Sequence, residues 1–341
     1  MTVDQMKQQG RGFKVAGRAL IVVAATLVVF PLLGINIFTA LPALYRGTLG
    51  NPYSLSQTLT VTSVIMLTAA AALIPFRAGF VNLGGEGQLV AGAAAMTCVV
   101  LTIGEPGSLW VAILGMIAAL AGGAAWAAIA SWLHERFGAN EVITTLMLNF
   151  VAFAVADFIW STVWPDKIAP QTKNFPDGTA FPMFGKFEQT PWAVLFALIV
   201  WAICWWLIQR TNFGFRIRAT GENPLAAFRF GYQPVRTRVI SVLLGGAFAG
   251  LAGGVLAMFV TRALLQGISQ SYGYVGIAAA LLIALRPSLL PIGAIAFAVI
   301  SVGGNTLAAV SKVSPSVSLV GVAVCVLMLL ATRPRPKGSR G

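Results

Sequence analysis

Three polar constellations interrupt an otherwise apolar chain, and they hold the groups able to bind or carry a solute. The first is Phe80-Val81-Asn82-Leu83-Gly84-Gly85-Glu86-Gly87-Gln88. Its glycines permit an unwound turn whose free N–H and C=O groups need partners or water. Glu86 lies nine residues past Arg77, a depth of roughly 10–15 Å if the segment is helical. A carboxylate at that depth faces protein or a cavity. Two roles fit it: a structural acceptor for backbone N–H groups or a neighbouring helix, or a pore or gate residue.

The second constellation is Asn140-Glu141-Val142-Ile143-Thr144-Thr145-Leu146-Met147-Leu148-Asn149-Phe150. It brings Thr144, Thr145 and Asn149 to hydrocarbon depth, where Asn149 wants a hydrogen-bond partner on another helix. It serves either as such an interhelical contact or as a lining of a solute path. Asp157, close to Trp160, reads as interfacial.

The third is the loop Gln209 to Arg238. Within it Thr220-Gly221-Glu222-Asn223-Pro224-Leu225-Ala226-Ala227-Phe228-Arg229-Phe230-Gly231 reads as a short self-contained helix. Asn223 suits the N-cap, Pro224 the first helical position, and Gly231 the left-handed position past the end. Leu225 and Phe228 share a face, and Glu222 sits at the end that favours negative charge. A helix this short needs something to cover its apolar side. Either the membrane surface does so, or a soluble protein docks there.

Other chemistry lacks its parts. There is no G-x-x-x-x-G-K-[ST] loop and no H-E-x-x-H, and the single histidine, His134, stands beside Glu135 and Arg136. Cys98, Cys204 and Cys325 are far apart inside apolar stretches and read as small hydrophobes. Neither a catalytic pair nor a metal site is expected, so energy from ATP would have to enter through a partner.

The elements that must position these groups follow from composition. The 341 residues are 57% hydrophobic and only 10% charged, against about 25% in a soluble domain. The formal charge is +13, with a mean hydropathy of +0.83. In this setting the bases mark loops rather than a nucleic-acid surface. Apolar runs predict about ten spans, near 19–40, 55–75, 80–103, 108–133, 142–164, 191–209, 238–261, 273–286, 289–310 and 314–332. The first is too long for a secretion signal and reads as an uncleaved anchor. The eighth is short and ends at Arg286-Pro287, so a broken or re-entrant element is one reading of it.

Bases cluster at Lys7, Arg11, Lys14 and Arg18, again from Arg210 to Arg238, and at Arg333, Arg335, Lys337 and Arg340. The positive-inside rule therefore puts both termini and the 210–238 loop in the cytoplasm, and the proline-rich 165–190 loop outside as a surface cap. This predicts a basic segment 1–18, a transmembrane domain 19–332 and a basic tail 333–341. Gly246, Gly250 and Gly254, four apart, form a stripe that lets another helix approach closely, as bundle packing or as a seam that slides.

In order and spacing, Asn82 to Gln88, Asn140 to Asn149, and Gly214-Phe215-Arg216-Ile217-Arg218-Ala219-Thr220-Gly221-Glu222-Asn223-Pro224-Leu225-Ala226-Ala227 resemble the permease subunits of bacterial ABC importers. The family is that of the branched-chain amino acid, ribose and nucleoside permeases, and the first two blocks look like its nucleoside and simple-sugar branch. The resemblance runs from about residue 55 to 332.

It implies an all-α integral membrane protein, a polytopic bundle in the bacterial inner membrane. It also implies a second permease subunit, by family habit a paralogue, an extracytoplasmic substrate-binding protein, and an ABC ATPase that binds ATP and Mg in this chain's stead. By position in the family's Gly-x-Asn-Pro-x-Ala-Ala loop, coupling to that ATPase falls on Gly221, Asn223, Pro224, Ala226 and Ala227, with Glu222, Phe228 and Arg229 beside them. Phe228-Arg229-Phe230 departs from the family's more usual residues there, which bears on which ATPase is accepted. Candidates for the substrate path are Asn82, Glu86, Gln88 and Asn149, with Phe150 and Phe153 offering faces on which a nucleoside's base could stack. The competing class is an ion-coupled secondary transporter broken near Gly84-Gly85 and Pro287. It commonly shows several intramembrane ionisable groups, and Glu86 stands nearly alone.

Overall fold

The computed structural model describes residues 37–104, 108–187 and 190–311. The tenth expected span, nearly all of the first, the basic head and tail, and Cys325 lie outside the described residues. Those described are helical, with no β-strand and two isolated bridges. The helices are α1 (Ile37–Thr48), α2 (Pro52–Arg77), α3 (Gly85–Ile103), α4 (Leu109–Phe137), α5 (Glu141–Phe158), α6 (Thr190–Arg210), α7 (Asn212–Glu222), α8 (Pro224–Arg229), α9 (Pro234–Leu256), α10 (Tyr272–Leu282) and α11 (Leu290–Ser311). One π-helical turn extends α5 over Ile159–Val163, and another extends α9 over Ala257–Thr261.

Every span expected between residues 55 and 310 has its helix. Seven are long and apolar enough to cross a membrane, and the eighth, α10, has 11 residues. At about 1.5 Å per residue α10 reaches roughly half the hydrocarbon thickness. The sequence boundaries fell short at polar ends: α4 continues through His134 and Arg136 to Phe137, where Gly138 at φ +66° donates its N–H to the His134 carbonyl.

The chain divides into two compact units. In one, formed by 37–55 with 299–311, the close-packed faces are those of Gly47 against Thr306 and Gly303 against Leu44. The other, Ser56–Ala298, holds all three constellations. Its centre is α3, α4 and α9, mutually packed. Contact there is backbone to backbone: a methyl group on Gly250 would overlap the Ala119 carbonyl oxygen, and one on Gly253 the Leu89 carbonyl oxygen. The Gly246, Gly250 and Gly254 stripe is thus the face on which α9 meets α4.

Within this unit the loops sort to two ends. One end gathers Arg77, whose Nε donates to the Leu285 carbonyl at 2.9 Å, and Arg238, paired with Glu135 at 3.0 Å. The other gathers the 164–187 loop and the turn after α9. Thr172 N–H donates to the Leu264 carbonyl at 2.8 Å, and Arg262 donates to the carbonyls of Phe175 and Pro176 at 3.3 and 3.0 Å. The Ile168 N–H and the Gln171 side chain hold the Asp166 carboxyl below its ordinary range and fix the start of that loop.

Helix α10 begins deep in the bundle. Thr68, nine residues before Arg77 on α2, donates to the Tyr272 carbonyl at 3.0 Å. From there α10 runs toward the arginine-rich end, while residues 262–271 fill the other half without helix. Among the described residues, every non-glycine residue with positive φ lies on one side of α10 or the other: Arg262, Gln270 and Ser271 before it, Ala284 and Leu285 after it. Such conformations cost about 1–2 kcal/mol each for an L-residue, so packing on both sides must hold α10 in place.

Candidate functional site

The first two sequence constellations fold onto each other. Thr145 and Asn149, one turn apart on α5, face the segment before α3. Thr145 Oγ1 accepts the Leu83 N–H at 3.2 Å and Asn149 Oδ1 the Gly87 N–H at 2.8 Å. Asn149 Nδ2 donates to the Leu83 carbonyl and to Tyr274 Oη, both at 3.1 Å. Asn82 and Gln88 exchange two side-chain hydrogen bonds at 3.1 and 3.0 Å, and Asn82 Oδ1 also takes the Gly84 N–H. The glycine-opened backbone is satisfied by carboxamides and a hydroxyl, as burial requires. Asn82, Gln88 and Asn149 are buried, and these three of the six path candidates are spent on holding the backbone together rather than lining the neighbouring cavity.

Glu86 is also buried, and it reaches the other way. Its Oε2 accepts the Gly273 N–H at 2.7 Å. A carboxylate therefore stands at the N-terminus of α10, the end where negative charge is favoured. Gly273 permits this approach, since a Cβ there would overlap the carboxylate.

Beside this junction lies a cavity of about 510 Å³, walled by Glu86, Phe150, Phe153, Asp157, Gln266 and Tyr274 with the rest of the 265–271 loop. Glu86, Phe150 and Phe153 are thus the path candidates that border open space. Asp157 was read from sequence as interfacial, yet it is part of the wall. Its Oδ1 accepts the Trp160 Nε1 hydrogen at 2.8 Å. The available signal was spacing: 150, 153 and 157 fall on one helix face.

The third constellation lies at the arginine-rich end. Asn223 Oδ1 accepts the Ala226 N–H at 2.9 Å, Pro224 opens α8, and Gly231 has φ +82°. All three capping assignments hold. The helix itself is shorter than expected, because Thr220, Gly221 and Glu222 complete the preceding α7 instead. Ala227 is buried, whereas Leu225, Phe228 and Phe230 are 61%, 66% and 82% exposed, an apolar surface on a six-residue helix that cannot stand alone. Gly221 lies directly on the turn after α2: a Cβ there would overlap the Arg77 carbonyl oxygen, and a Cβ on Gly79 would meet Gly221 Cα.

His134 belongs to neither site. Its Nδ1 lies 2.9 Å from the Ala139 carbonyl and 3.5 Å from Glu141, and its ring packs edge-on to Phe80. Among the described residues no cluster of side chains suited to a metal occurs.

Comparison with known proteins gives this geometry its context. A family model described as the permease component of branched-chain amino acid transport systems matches residues 54–332. The guanosine ABC transporter permease protein NupP of Bacillus subtilis is 30% identical over 264 residues, 76% of each chain. A second guanosine ABC transporter permease protein of that organism, NupQ, is 30% identical over 230 residues, 65% of this chain and 72% of its own. The glucose ABC transporter permease protein TsgB13 of Haloferax volcanii is 28% identical over 318 residues, 88% of this chain and 82% of its own. Such proteins leave ATP hydrolysis to a separate subunit, which sets aside the ion-coupled reading. With the family model covering most of the sequence, the chain belongs to this permease family and is the multi-pass membrane subunit of an ABC transporter.

Proposed function

We propose that this chain is one half of an ATP-driven importer for a nucleoside or simple sugar, coupled to its ATPase through residues 223–230. The substrate class rests on the relatives named for guanosine and glucose. In this reading the 510 Å³ cavity is this subunit's share of the path. Phe150 and Phe153 offer flat apolar faces to a ring, while Asp157, Gln266 and Gln270 offer acceptors and donors to its hydroxyls or base edge. The membrane is the bacterial inner membrane, with the arginine-rich end and both termini cytoplasmic.

One observation carries the coupling assignment. Gly221, beside the α8 cap, touches Arg77 and Gly79, and the chain leads from there through Asn82 to Glu86, which grips Gly273 in the first turn of α10, next to the cavity loop. When ATP and Mg close the partner ATPase, displacement of α8 is transmitted along this packed route to the broken helix. The coupling can be no larger than the difference in docking free energy between the two states. The partners are a paralogous second permease, since two guanosine permeases of one organism both resemble this chain, and an extracytoplasmic binding protein meeting the 165–190 loop.

The test is a mild-detergent pull-down of the tagged chain from cells expressing its neighbouring genes, with mass-spectrometric identification. Recovery of a Walker-motif ATPase and a second permease supports the reading. A chain recovered alone that moves solute in liposomes without ATP overturns it.

A further inference from the structure

At the arginine-rich end a recess of about 410 Å³ opens between the start of α7 and the start of α9, lined by Phe213, Arg216, Tyr232, Gln233, Arg236 and Ile240. The Arg216 guanidinium lies over the Tyr232 ring at 5.7 Å from its centroid, which fixes one wall. Among the described residues neither Arg216 nor Arg236 has a carboxylate within ion-pair reach, whereas Arg238 pairs with Glu135. Two positive groups therefore converge on a space with no counter-charge of its own.

The recess also has an apolar side, formed by Phe213 and Ile240. It lies where one span, α6, has just ended at Arg210 and another, α9, begins at Pro234. Ile240 is six residues into α9, about 9 Å along its axis, so the recess runs from the polar edge of the span into its first apolar turns. A soluble phosphate would be met by the arginines alone. A lipid offers a phosphate to the arginines and acyl methylenes to Phe213 and to Ile240, one turn past Arg236 along the span.

We propose that this recess binds an anionic phospholipid of the leaflet at the arginine-rich end, with Arg216 and Arg236 on its phosphate and Phe213 and Ile240 against the start of its acyl chains. The inference needs the membrane-spanning reading but not the coupling role of α8. Because Tyr232 and Gln233 directly follow the α8 segment, an occupied recess would brace the loop that carries α8.

The test places the full-length chain in nanodiscs of phosphatidylcholine containing a minority of phosphatidylglycerol, followed by partial delipidation and native mass spectrometry. Wild-type protein should retain phosphatidylglycerol over phosphatidylcholine by roughly tenfold or more, the scale expected of two arginines at a charged surface. The Arg216→Gln/Arg236→Gln variant should lose that preference. Arg216→Lys/Arg236→Lys, which keeps the charge, and Arg210→Gln, which lies outside the recess, should keep it. Equal retention of both lipids by wild type overturns the proposal, as does an equal loss in Arg210→Gln. Displacement of the lipid by millimolar inorganic phosphate would assign the recess to a soluble anion instead. Unchanged lipid retention in the double Gln variant, with loss of the ATPase from the assembled complex, would assign the arginines to a protein contact and also overturn it.

Discussion

Glu86 and Gly273 are 187 residues apart in sequence and joined by a 2.7 Å hydrogen bond in which the carboxylate accepts the backbone N–H. That bond fastens the opening of α3 to the opening of α10, the one described apolar helix in the Ser56–Ala298 unit too short to cross a membrane alone. Of the two roles open to Glu86 in the sequence, the bond is that of the structural acceptor. The carboxylate is a structural acceptor, and the element it holds is the wall of the cavity.

Replacing Glu86 separates those contributions. Glu86→Ala leaves the buried Gly273 N–H without its acceptor, at a cost of about 1–3 kcal/mol, and should lower the melting temperature of the purified chain. Glu86→Gln keeps an acceptor but not the charge, so abundance in the membrane should be intact while ATP-driven uptake falls. Wild-type uptake by Glu86→Gln would return the residue to a purely structural role.

What could be read from sequence was what is local. Asn223, Pro224 and Gly231 act within one turn of themselves, so the ends of α8 were legible without a structure. The extension of α7 through Gly221 and Glu222 was not, because a glycine there looks like a break, whereas it serves close contact with Arg77 and Gly79. The bonding of Asn149 to Gly87 and of Glu86 to Gly273 joins residues far apart in sequence, and residue type declares the need for a partner without naming it. Asp157 was read only through its tryptophan neighbour, a mark of the interface, and its position one turn beyond Phe153, which brings it to the cavity as well, went unused.

Changes at the α8 cap should uncouple rather than unfold. Asn223→Gly/Pro224→Gly removes the side-chain acceptor for the Ala226 N–H and the fixed φ of the first helical residue, a local loss of about 1 kcal/mol. Membrane abundance should match wild type while ATP-driven uptake is abolished. Normal uptake by this variant would sink the coupling assignment.

Gly221→Val acts on the route rather than the dock. Its side chain would collide with the Arg77 carbonyl and push α7 away from the turn after α2. The expected result is an ATPase that still co-purifies, hydrolyses ATP, and no longer drives uptake at the wild-type rate. If ATPase binding is lost in step with uptake, Gly221 belongs to the docking surface itself.

Asp157 offers the most direct test of the cavity. Oδ1 is engaged by Trp160, and the side chain stands in a wall that also holds the Phe150, Phe153 and Tyr274 rings, Gln266 and Gln270, and the Glu86 carboxylate. Asp157→Asn retains an oxygen for Trp160 and nearly the same volume, but replaces a charged acceptor by a neutral amide. A solute that donates a hydrogen bond to this position loses a charge-assisted contact, whose removal costs about 1.5–3 kcal/mol in a buried site and less here because Asp157 is only partly buried. Uptake by the assembled importer should therefore show a rate reduced several-fold, with the binding protein's own affinity for the solute unchanged. Asp157→Ala should reduce it further and also free Trp160, which a shift in tryptophan fluorescence would report. Uptake that follows Trp160 mobility rather than the charge at residue 157 would make Asp157 a brace for the interface, as its sequence neighbours imply, and leave solute contact to Glu86, Gln266 and Gln270.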